Sequence, residues 1–450
     1  MAKRRGILAR VGPAFIVGAC VIGPGSVTLM STTGASYGYA MIWLSLLAGA
    51  LMAGFLALAM RLGIYSDETF ITLTANRLGR PFAVLCGLAI FMVTAAFQFG
   101  NSLGVTAGME ALFAGVPQYV WPVAFTLVAI AFLFSFKQFY GVLEKMMMFF
   151  LVFMALAFLS NLVWAVGAKP DRLDVLQGML HGAFVPTLPA NVNWVVICGL
   201  AGTTFCVSAA IFQIYLVKAK GWTEDDMASG IADTVMASVM LTLIGAIIMM
   251  TAATVLYPNA GRVDFGIMIR SLENVFGPYA RLVFSVGFWA AAFSSFIANS
   301  LTGGVIINDT LGLGGKLEST ATRIFASVVL LIGMTLSLAI IHTAETTKAA
   351  AAAEEQPDEA DQAVAKVEKA KKVDIKVAAI LVGQASTMLA VPLAAIALVA
   401  VFFDPRATQG RTLNWAVKAF VLFGAIVLLG VAVVTYIKIR PELVEILGLG

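Results

Sequence analysis

Charged side chains are scarce in this chain. Asp, Glu, Lys and Arg make up 12% of its 450 residues, and hydrophobic residues make up 60%. A soluble globular domain has about 25% charged residues, so the composition excludes an ordinary soluble protein. No basic stripe interleaves with aromatic residues, so a nucleic-acid partner is not expected. Repeated apolar runs of about 20 residues instead predict a polytopic α-helical protein of the lipid bilayer.

Histidine and cysteine are also rare, with two and four residues respectively. All four cysteines lie in apolar runs, so no disulfide framework is implied. The chain has no His/Cys cluster at metal-ligand spacing, no phosphate-binding loop and no nucleophile elbow. We therefore expect no enzyme, no cofactor and no obligate protein partner.

Eleven apolar segments are long enough to be transmembrane helices. They cover roughly 11–37, 40–62, 81–113, 119–137, 143–167, 193–217, 230–257, 279–306, 322–343, 376–403 and 412–438. We expect them to form a single transmembrane domain that spans residues 1–450. The Ala/Glu/Lys-rich segment 344–375 between the ninth and tenth helices is typical of a solvated helix or a flexible loop.

The distribution of basic residues predicts the orientation in the membrane. Sixteen of the 29 Lys and Arg residues lie in the N-terminal segment and in or beside the even-numbered loops, which follow the second, fourth, sixth, eighth and tenth helices. Seven lie on the opposite side, once six in or beside segment 344–375 are set aside. We expect a multi-pass protein of the inner (plasma) membrane, with a cytoplasmic N-terminus and, after eleven crossings, an external C-terminus.

The first apolar run is interrupted at its centre by Gly23-Pro24-Gly25-Ser26. Proline removes a backbone donor and clashes with the preceding turn, and glycine adds backbone freedom. Lipid cannot satisfy the backbone groups that such a break exposes, so they must face protein or a water-filled cavity. The stretch therefore predicts either a simple kink or a broken helix of the kind that forms substrate sites in secondary transporters.

Ten helices followed by one more suggest two five-helix repeats, about 11–167 and 193–403, of opposite topology. The sixth helix is then the partner of the first. Its middle, Gly202-Thr203-Thr204-Phe205-Cys206-Val207-Ser208-Ala209, is small and polar but contains no proline. From these residues alone, a second break and a small-residue packing face are both open.

Several separated motifs agree with one known family in order and spacing. They are GPAFIVGACVIGPGSVTLMSTTGASYGYAMIWLSLLAG at the start, GTTFCVSAAIFQIYLV from Gly202 to Val217, Asp233-Thr234, and Gln384 followed by Pro392. With them the chain resembles the Nramp family of divalent-metal transporters. The resemblance implies an all-α, LeuT-type fold. That fold has two inverted five-helix repeats plus an eleventh helix, and helices 1 and 6 are unwound at the midplane. Segment 344–375 is then an insertion.

The metal ligands that the resemblance implies are replaced in this chain. The family binds metal through the Asp and Asn of D-P-G-N in helix 1, and through a Met and a backbone carbonyl near M-P-H in helix 6. The corresponding positions here are Gly23 and Ser26 in helix 1, and Thr203 (the carbonyl), Cys206, Val207 and Ser208 in helix 6. The helix-breaking Pro24 and Gly25 are retained.

Helix 3 departs from the family in the same way. Where the resemblance implies acidic residues that transfer protons, this chain has Gln98 and Asn101. Neither side chain titrates, so proton coupling is not expected. A purely structural role, in which the two amides bridge helices, is the alternative.

The substituted positions favour a different ion. Losing the thioether removes the soft ligand, and a thiol such as Cys206 binds metal strongly only when deprotonated. Without a carboxylate, a bare divalent ion is too costly. We therefore expect a partly hydrated Mg²⁺, or else Mn²⁺, whose water shell meets Ser26, Ser208, Gln384 and carbonyls near Gly23 and Thr203. The alternatives are a carrier of a non-metal organic solute and a non-transporting relative.

Overall fold

The computed structural model describes residues 12–113, 115–136, 140–190, 192–258, 277, 279–354, 391–411 and 414–446. Within them it contains α-helices joined by short loops and two 3₁₀ turns. The helices are α1 Pro13–Val21, α2 Pro24–Tyr37, α3 Ile42–Tyr65, α4 Phe70–Leu78, α5 Arg80–Leu112, α6 Val120–Ser135, α7 Tyr140–Gly167, α8 Arg172–Phe184, α9 Trp194–Thr204, α10 Val207–Lys220, α11 Met227–Leu256, α12 Tyr279–Thr310, α13 Thr320–Glu354, α14 Val391–Phe402 and α15 Trp415–Ile446.

Both predicted helix breaks are present. The first apolar run forms α1 and α2, and the sixth forms α9 and α10. In the described part of the chain, eight helical stretches are long and apolar enough to cross a membrane, and α6 and α14 are shorter apolar helices. The chain is therefore an all-α polytopic membrane protein.

The structure adds detail to two segments between the predicted transmembrane helices. The connection between the fifth and sixth predicted helices contains helix α8, which the sequence did not predict. Residues 344–354, the first part of the expected insertion, continue α13 without interruption, in agreement with the helical alternative, since Ala and Glu are strong helix formers. The remainder of that insertion and the first half of the tenth predicted helix, including Gln384, lie outside the described residues.

The two broken helices pack against each other in a crossed arrangement. Helix α1 contacts α10, and α2 contacts α9, so each half of one broken helix lies beside the opposite half of the other. Helix α12 packs along α5, α7 and α1. The two breaks therefore lie in the middle of the bundle, where α5 and α12 flank the first of them.

Polar contacts tie the loops together at each end of the bundle. The N-terminal end of α1 and the even-numbered loops share one end. The contacts there are Gly12 N with Asp233 Oδ1, Lys220 with Glu144, Arg80 Nη2 with the Thr310 carbonyl, Arg77 with Asp404, and Arg411 with Glu224. At the opposite end, Trp43 Nε1 donates to the Thr187 carbonyl and the Asn193 amide donates to the Tyr37 hydroxyl.

Candidate functional site

The first break is produced by Pro24. Helix α1 ends when the Ile22 amide donates to the Gly18 carbonyl at 3.1 Å and the Gly23 amide donates to the Val21 carbonyl at 3.0 Å. Pro24 is the first residue of α2, a position where its missing N–H has no cost and its fixed φ suits the helix. The proline that ends α1 thus also begins α2.

The ring of Pro24 packs against the backbone of α5 at Gly104. A Cβ on residue 104 would lie 2.0 Å from Pro24 Cγ, a distance that no side chain can tolerate. Glycine is therefore required at this contact. The close approach fixes the break against the third transmembrane helix.

Three hydroxyl groups donate to carbonyls in the last turn of α1. Ser26 Oγ donates to the Val21 carbonyl at 2.6 Å. From α12, Ser295 Oγ donates to the Cys20 carbonyl at 2.5 Å, and Ser294 Oγ approaches the Ala19 carbonyl at 3.4 Å. These hydroxyls take the place of water at the end of α1. The carbonyls of Ala19, Cys20 and Val21 are thus already hydrogen-bonded, although Ser26 Oγ can still accept a hydrogen bond. The Ile22 carbonyl beside Gly23 has no donor among the described residues.

Gly23 is enclosed by side chains of α5 and α12. A Cβ on residue 23 would lie 2.7 Å from Ser295 Oγ and 3.0 Å from Asn101 Oδ1. Both neighbours are buried. Any side chain at position 23 would have to displace them, so the space beside Gly23 belongs to Ser295 and Asn101.

Gln98 and Asn101 belong to a buried amide network between α5 and α12. Gln98 Nε2 donates to the Phe296 carbonyl at 3.2 Å, and Asn101 Nδ2 approaches Gln98 Oε1 at 3.5 Å. Asn299 Nδ2 donates to Gln98 Oε1 at 3.0 Å and to the Thr94 carbonyl at 2.7 Å. The two amides therefore do bridge helices. Sequence reasoning missed Asn299 and Ser295, whose only signal was the polar run within the eighth apolar segment.

The second break forms without a proline. The Phe205 amide donates to the Ala201 carbonyl at 2.9 Å, and the next helix begins at Val207. Cys206 between them has extended backbone dihedrals, with φ −83° and ψ 95°. Its thiol lies 3.2 Å from the Ser208 hydroxyl. Both side chains are thus engaged with each other at the start of α10.

The carbonyls at the end of α9 lack hydroxyl donors of the kind that cap the end of α1. Among the described residues, no donor reaches the carbonyls of Thr203 and Thr204. The Thr203 hydroxyl bonds within its own helix, to the Leu200 carbonyl at 3.3 Å, while the buried Thr204 hydroxyl has no partner in the described part of the chain. Buried carbonyls rarely stay unpaired in proteins, so a water or a bound ligand is the expected partner.

The predicted site residues that the structure describes are all buried. Gly23, Ser26, Thr203, Cys206 and Ser208 lie at the two adjacent breaks. None of these five residues has a carboxylate or any other charged side chain. Across the described ranges, no group of three or more His, Cys, Asp or Glu residues could hold a metal ion.

Buried carboxylates instead anchor helix ends. Asp233 of α11 accepts the amides of Gly12 and Ala14 at 2.6 and 2.8 Å, which caps the N-terminus of α1. Asp309 accepts the Tyr215 hydroxyl at 2.6 Å and the Thr69 hydroxyl at 2.8 Å. Both groups lie at one end of the bundle and not at the breaks. The centre is therefore lined by neutral oxygen, amide and thiol groups.

Comparison with known proteins agrees with this architecture. The family model "Natural resistance-associated macrophage protein-like" (Nramp) matches residues 14–353. The divalent metal cation transporter MntH of Deinococcus radiodurans is 26% identical over 352 residues, covering 75% of this chain and 78% of the relative. MntH of Bacillus subtilis is 24% identical over 310 residues, covering 67% and 71%.

Among solved structures, a mutant of the Eremococcus coleocola manganese transporter superposes with a TM-score of 0.79 at 15% identity, covering 100% of this chain and 90% of the other. The chain belongs to the Nramp family. Its fold is of the LeuT type, with two inverted five-helix repeats and an eleventh helix, and with the first and sixth helices broken at the centre.

Proposed function

We propose that this protein transports a divalent cation, Mg²⁺ in preference to Mn²⁺, as a partly hydrated ion held between the two helix breaks. The observation that carries the proposal is the neutral, oxygen-lined centre, in which the carbonyls of Thr203 and Thr204 find no donor among the described residues. Relatives of similar length are divalent metal cation transporters, which supports a divalent cation as substrate.

Hydration follows from the kind of groups at the breaks. Neutral hydroxyl and carbonyl oxygens bind water molecules well, but they do not offset the loss of a divalent ion's full hydration shell. Mg²⁺ gives up its waters reluctantly and is usually bound with several of them. In this proposal the Thr203 carbonyl and the oxygens of Ser26 and Ser208 bind the shell, and the partial negative charge at the end of α9 attracts the ion.

Three further site positions have different roles in the proposal. Gly23 carries no side chain, which leaves the ion without a charged ligand in helix 1. Gln384 lies outside the described residues, and the amide that the sequence predicts from it stays a prediction. Cys206 contributes bulk and a weak acceptor, since its buried thiol already contacts Ser208.

Transport in this proposal is not coupled to protons. Gln98 and Asn101 occupy the helix-3 positions expected to carry acids, and their amides bond each other, Phe296 and Asn299. Amides do not exchange protons in the physiological pH range. The ion is therefore driven by its own electrochemical gradient.

The proposed location is the plasma membrane, with a cytoplasmic N-terminus and an external C-terminus. The orientation is supported by the described basic residues Arg77, Lys220 and Arg411, which lie in contacts at the same end of the bundle as the start of α1. Positive charge favours the cytoplasmic side. The whole chain acts as a single transmembrane domain.

The test is ion flux into liposomes that contain the purified protein. We expect Mg²⁺ uptake, weaker Mn²⁺ uptake, and no acidification of the lumen. Ser208→Ala should weaken Mg²⁺ uptake, whereas Ser337→Ala, which removes a buried hydroxyl bonded within α13, should not. Absence of both Mg²⁺ and Mn²⁺ flux above empty liposomes would overturn the proposal.

A carrier of an organic solute is the second candidate, because the breaks carry no carboxylate. Thermal stabilisation of the purified protein distinguishes the two. Stabilisation by millimolar Mg²⁺ supports the cation transporter. Stabilisation by an organic solute from a panel, with none by Mg²⁺, supports the alternative.

A further inference from the structure

The space beside Gly23 is filled by a residue of α12 that sequence reasoning did not consider. Ser295 is fully buried, and its Oγ donates to the Cys20 carbonyl at 2.5 Å. The same Oγ lies 2.7 Å from the point where a side chain on residue 23 would begin. One hydroxyl thus bonds a carbonyl at the end of α1 and also fills the position of a side chain on residue 23, from which helix 1 could ligate an ion.

We propose that Ser295 is a specificity-determining residue, whose hydroxyl keeps helix 1 from ligating an ion directly and so restricts transport to ions that keep their water. This inference rests on the proposed function and deepens it. It identifies the group that excludes dehydrated transition metals.

The chemistry of direct ligation supports this role. A transition-metal ion that sheds its water needs anionic or soft ligands at the membrane centre to offset the loss of hydration. At the first break the Cys20 carbonyl already accepts the Ser295 hydroxyl, and the Val21 carbonyl accepts Ser26. A carboxylate side chain at position 23 would clash with Ser295 and Asn101 at its Cβ, and it could not ligate an ion without displacing them.

The neighbouring residue Ser294 provides a matched control. It lies on the same helix and is equally buried, but its hydroxyl bonds mainly within α12, to the Ala291 carbonyl at 3.1 Å, and approaches the Ala19 carbonyl at only 3.4 Å. No atom of Ser294 is among the three atoms that lie closest to a Cβ placed on residue 23. Glycine substitution costs helix stability to a similar extent at either site.

The experiment compares Gly23→Asp alone, Gly23→Asp with Ser295→Gly, and Gly23→Asp with Ser294→Gly. We expect the Ser295 double variant to raise the ratio of Mn²⁺ to Mg²⁺ uptake by about tenfold or more, a typical size for a change around a metal ligand. Gly23→Asp alone and the Ser294 double variant should leave that ratio near the wild-type value and lower the melting temperature.

Binding is measured in the same variants by calorimetric titration with Mn²⁺, so that the result does not depend on transport. If the wild type moves neither ion, the proposed function fails, yet tighter Mn²⁺ binding by the Ser295 double variant than by Gly23→Asp still supports the role of Ser295. Equal Mn²⁺ affinity of Gly23→Asp and the Ser295 double variant, or an equal gain with Ser294→Gly, would overturn it.

Discussion

The two helix breaks at the centre of this protein occupy related positions in the inverted repeats but differ in how their backbone is satisfied. At the first, Ser26, Ser294 and Ser295 bring hydroxyls to the carbonyls of the last turn of α1. At the second, the carbonyls of Thr203 and Thr204 have no such donor within the described ranges. We call the first break closed, because hydroxyls cap most of its carbonyls, and the second open, because its carbonyls can still accept a hydrogen bond.

The difference has an energetic consequence. An unsatisfied buried polar group costs about 1–3 kcal/mol, so the hydroxyl caps stabilise the first break in the absence of any ligand. The second break regains that free energy only when water or an ion reaches it. Substitutions at the first break should therefore affect stability, and those at the second should affect the response to the ion.

The largest effect is expected where the closed break meets α5. Gly104→Ala would place a methyl group 2.0 Å from Pro24 Cγ, and overpacking of this kind costs about 1–3 kcal/mol. Gly430→Ala is the control, because a Cβ there meets nothing within 4 Å. We expect a clear fall in melting temperature for Gly104→Ala and none for Gly430→Ala. Equal melting temperatures would show that the first break is not held by this contact.

The next effect concerns the other end of α1. In the wild type the two carboxylate oxygens of Asp233 accept the amides of Gly12 and Ala14. Asp233→Asn leaves only one oxygen for both amides. Loss of a hydrogen bond to a charged group costs about 1.5–3 kcal/mol. Hydrogen exchange should accelerate over residues 13–21 and stay unchanged over 207–220. Acceleration across both segments would mean that Asp233 supports the whole bundle and not α1 in particular.

A paired substitution compares the two breaks directly. Ser26→Ala removes one of the two donors to the Val21 carbonyl, the other being the Gly23 amide, and should lower stability by about 0.5–1.5 kcal/mol. Ser208→Ala removes only the contact with the Cys206 thiol and should change stability less. Stabilisation by added Mg²⁺, measured as the shift in melting temperature, should fall in Ser208→Ala. If both variants lose stability equally and bind Mg²⁺ equally, the distinction between closed and open breaks is wrong.

The smallest effect is expected for Val207→Pro. Val207 is the first residue of α10, and the extended backbone of Cys206 suits the position before a proline. The melting temperature should stay close to that of the wild type. Ile211→Pro in the interior of the same helix should cost about 3 kcal/mol. A large loss in Val207→Pro would indicate that the Val207 amide has a partner at the second break.

Much of the architecture could be predicted from the sequence. The apolar runs indicated the membrane class, and Gly-Pro-Gly located the first break, because proline cannot continue the hydrogen-bond pattern of α1 whatever surrounds it. The second break could not be derived from its residues. Thr203, Cys206 and Ser208 are compatible with a continuous helix, and the break appears only in the folded chain, where the two halves pack against α1 and α2.

The resemblance to the Nramp family also identified Gly23, Ser26, Gln98 and Asn101 as central positions. It could not show that Ser295 and Asn299 face them, since these residues are about 200 to 275 positions away and meet α1 and α5 only when α12 packs between them. The sequence by itself determined where the first helix breaks, and its resemblance to the Nramp family determined which ligands are missing. The tertiary structure decided which break is closed, because the capping hydroxyls come largely from another helix.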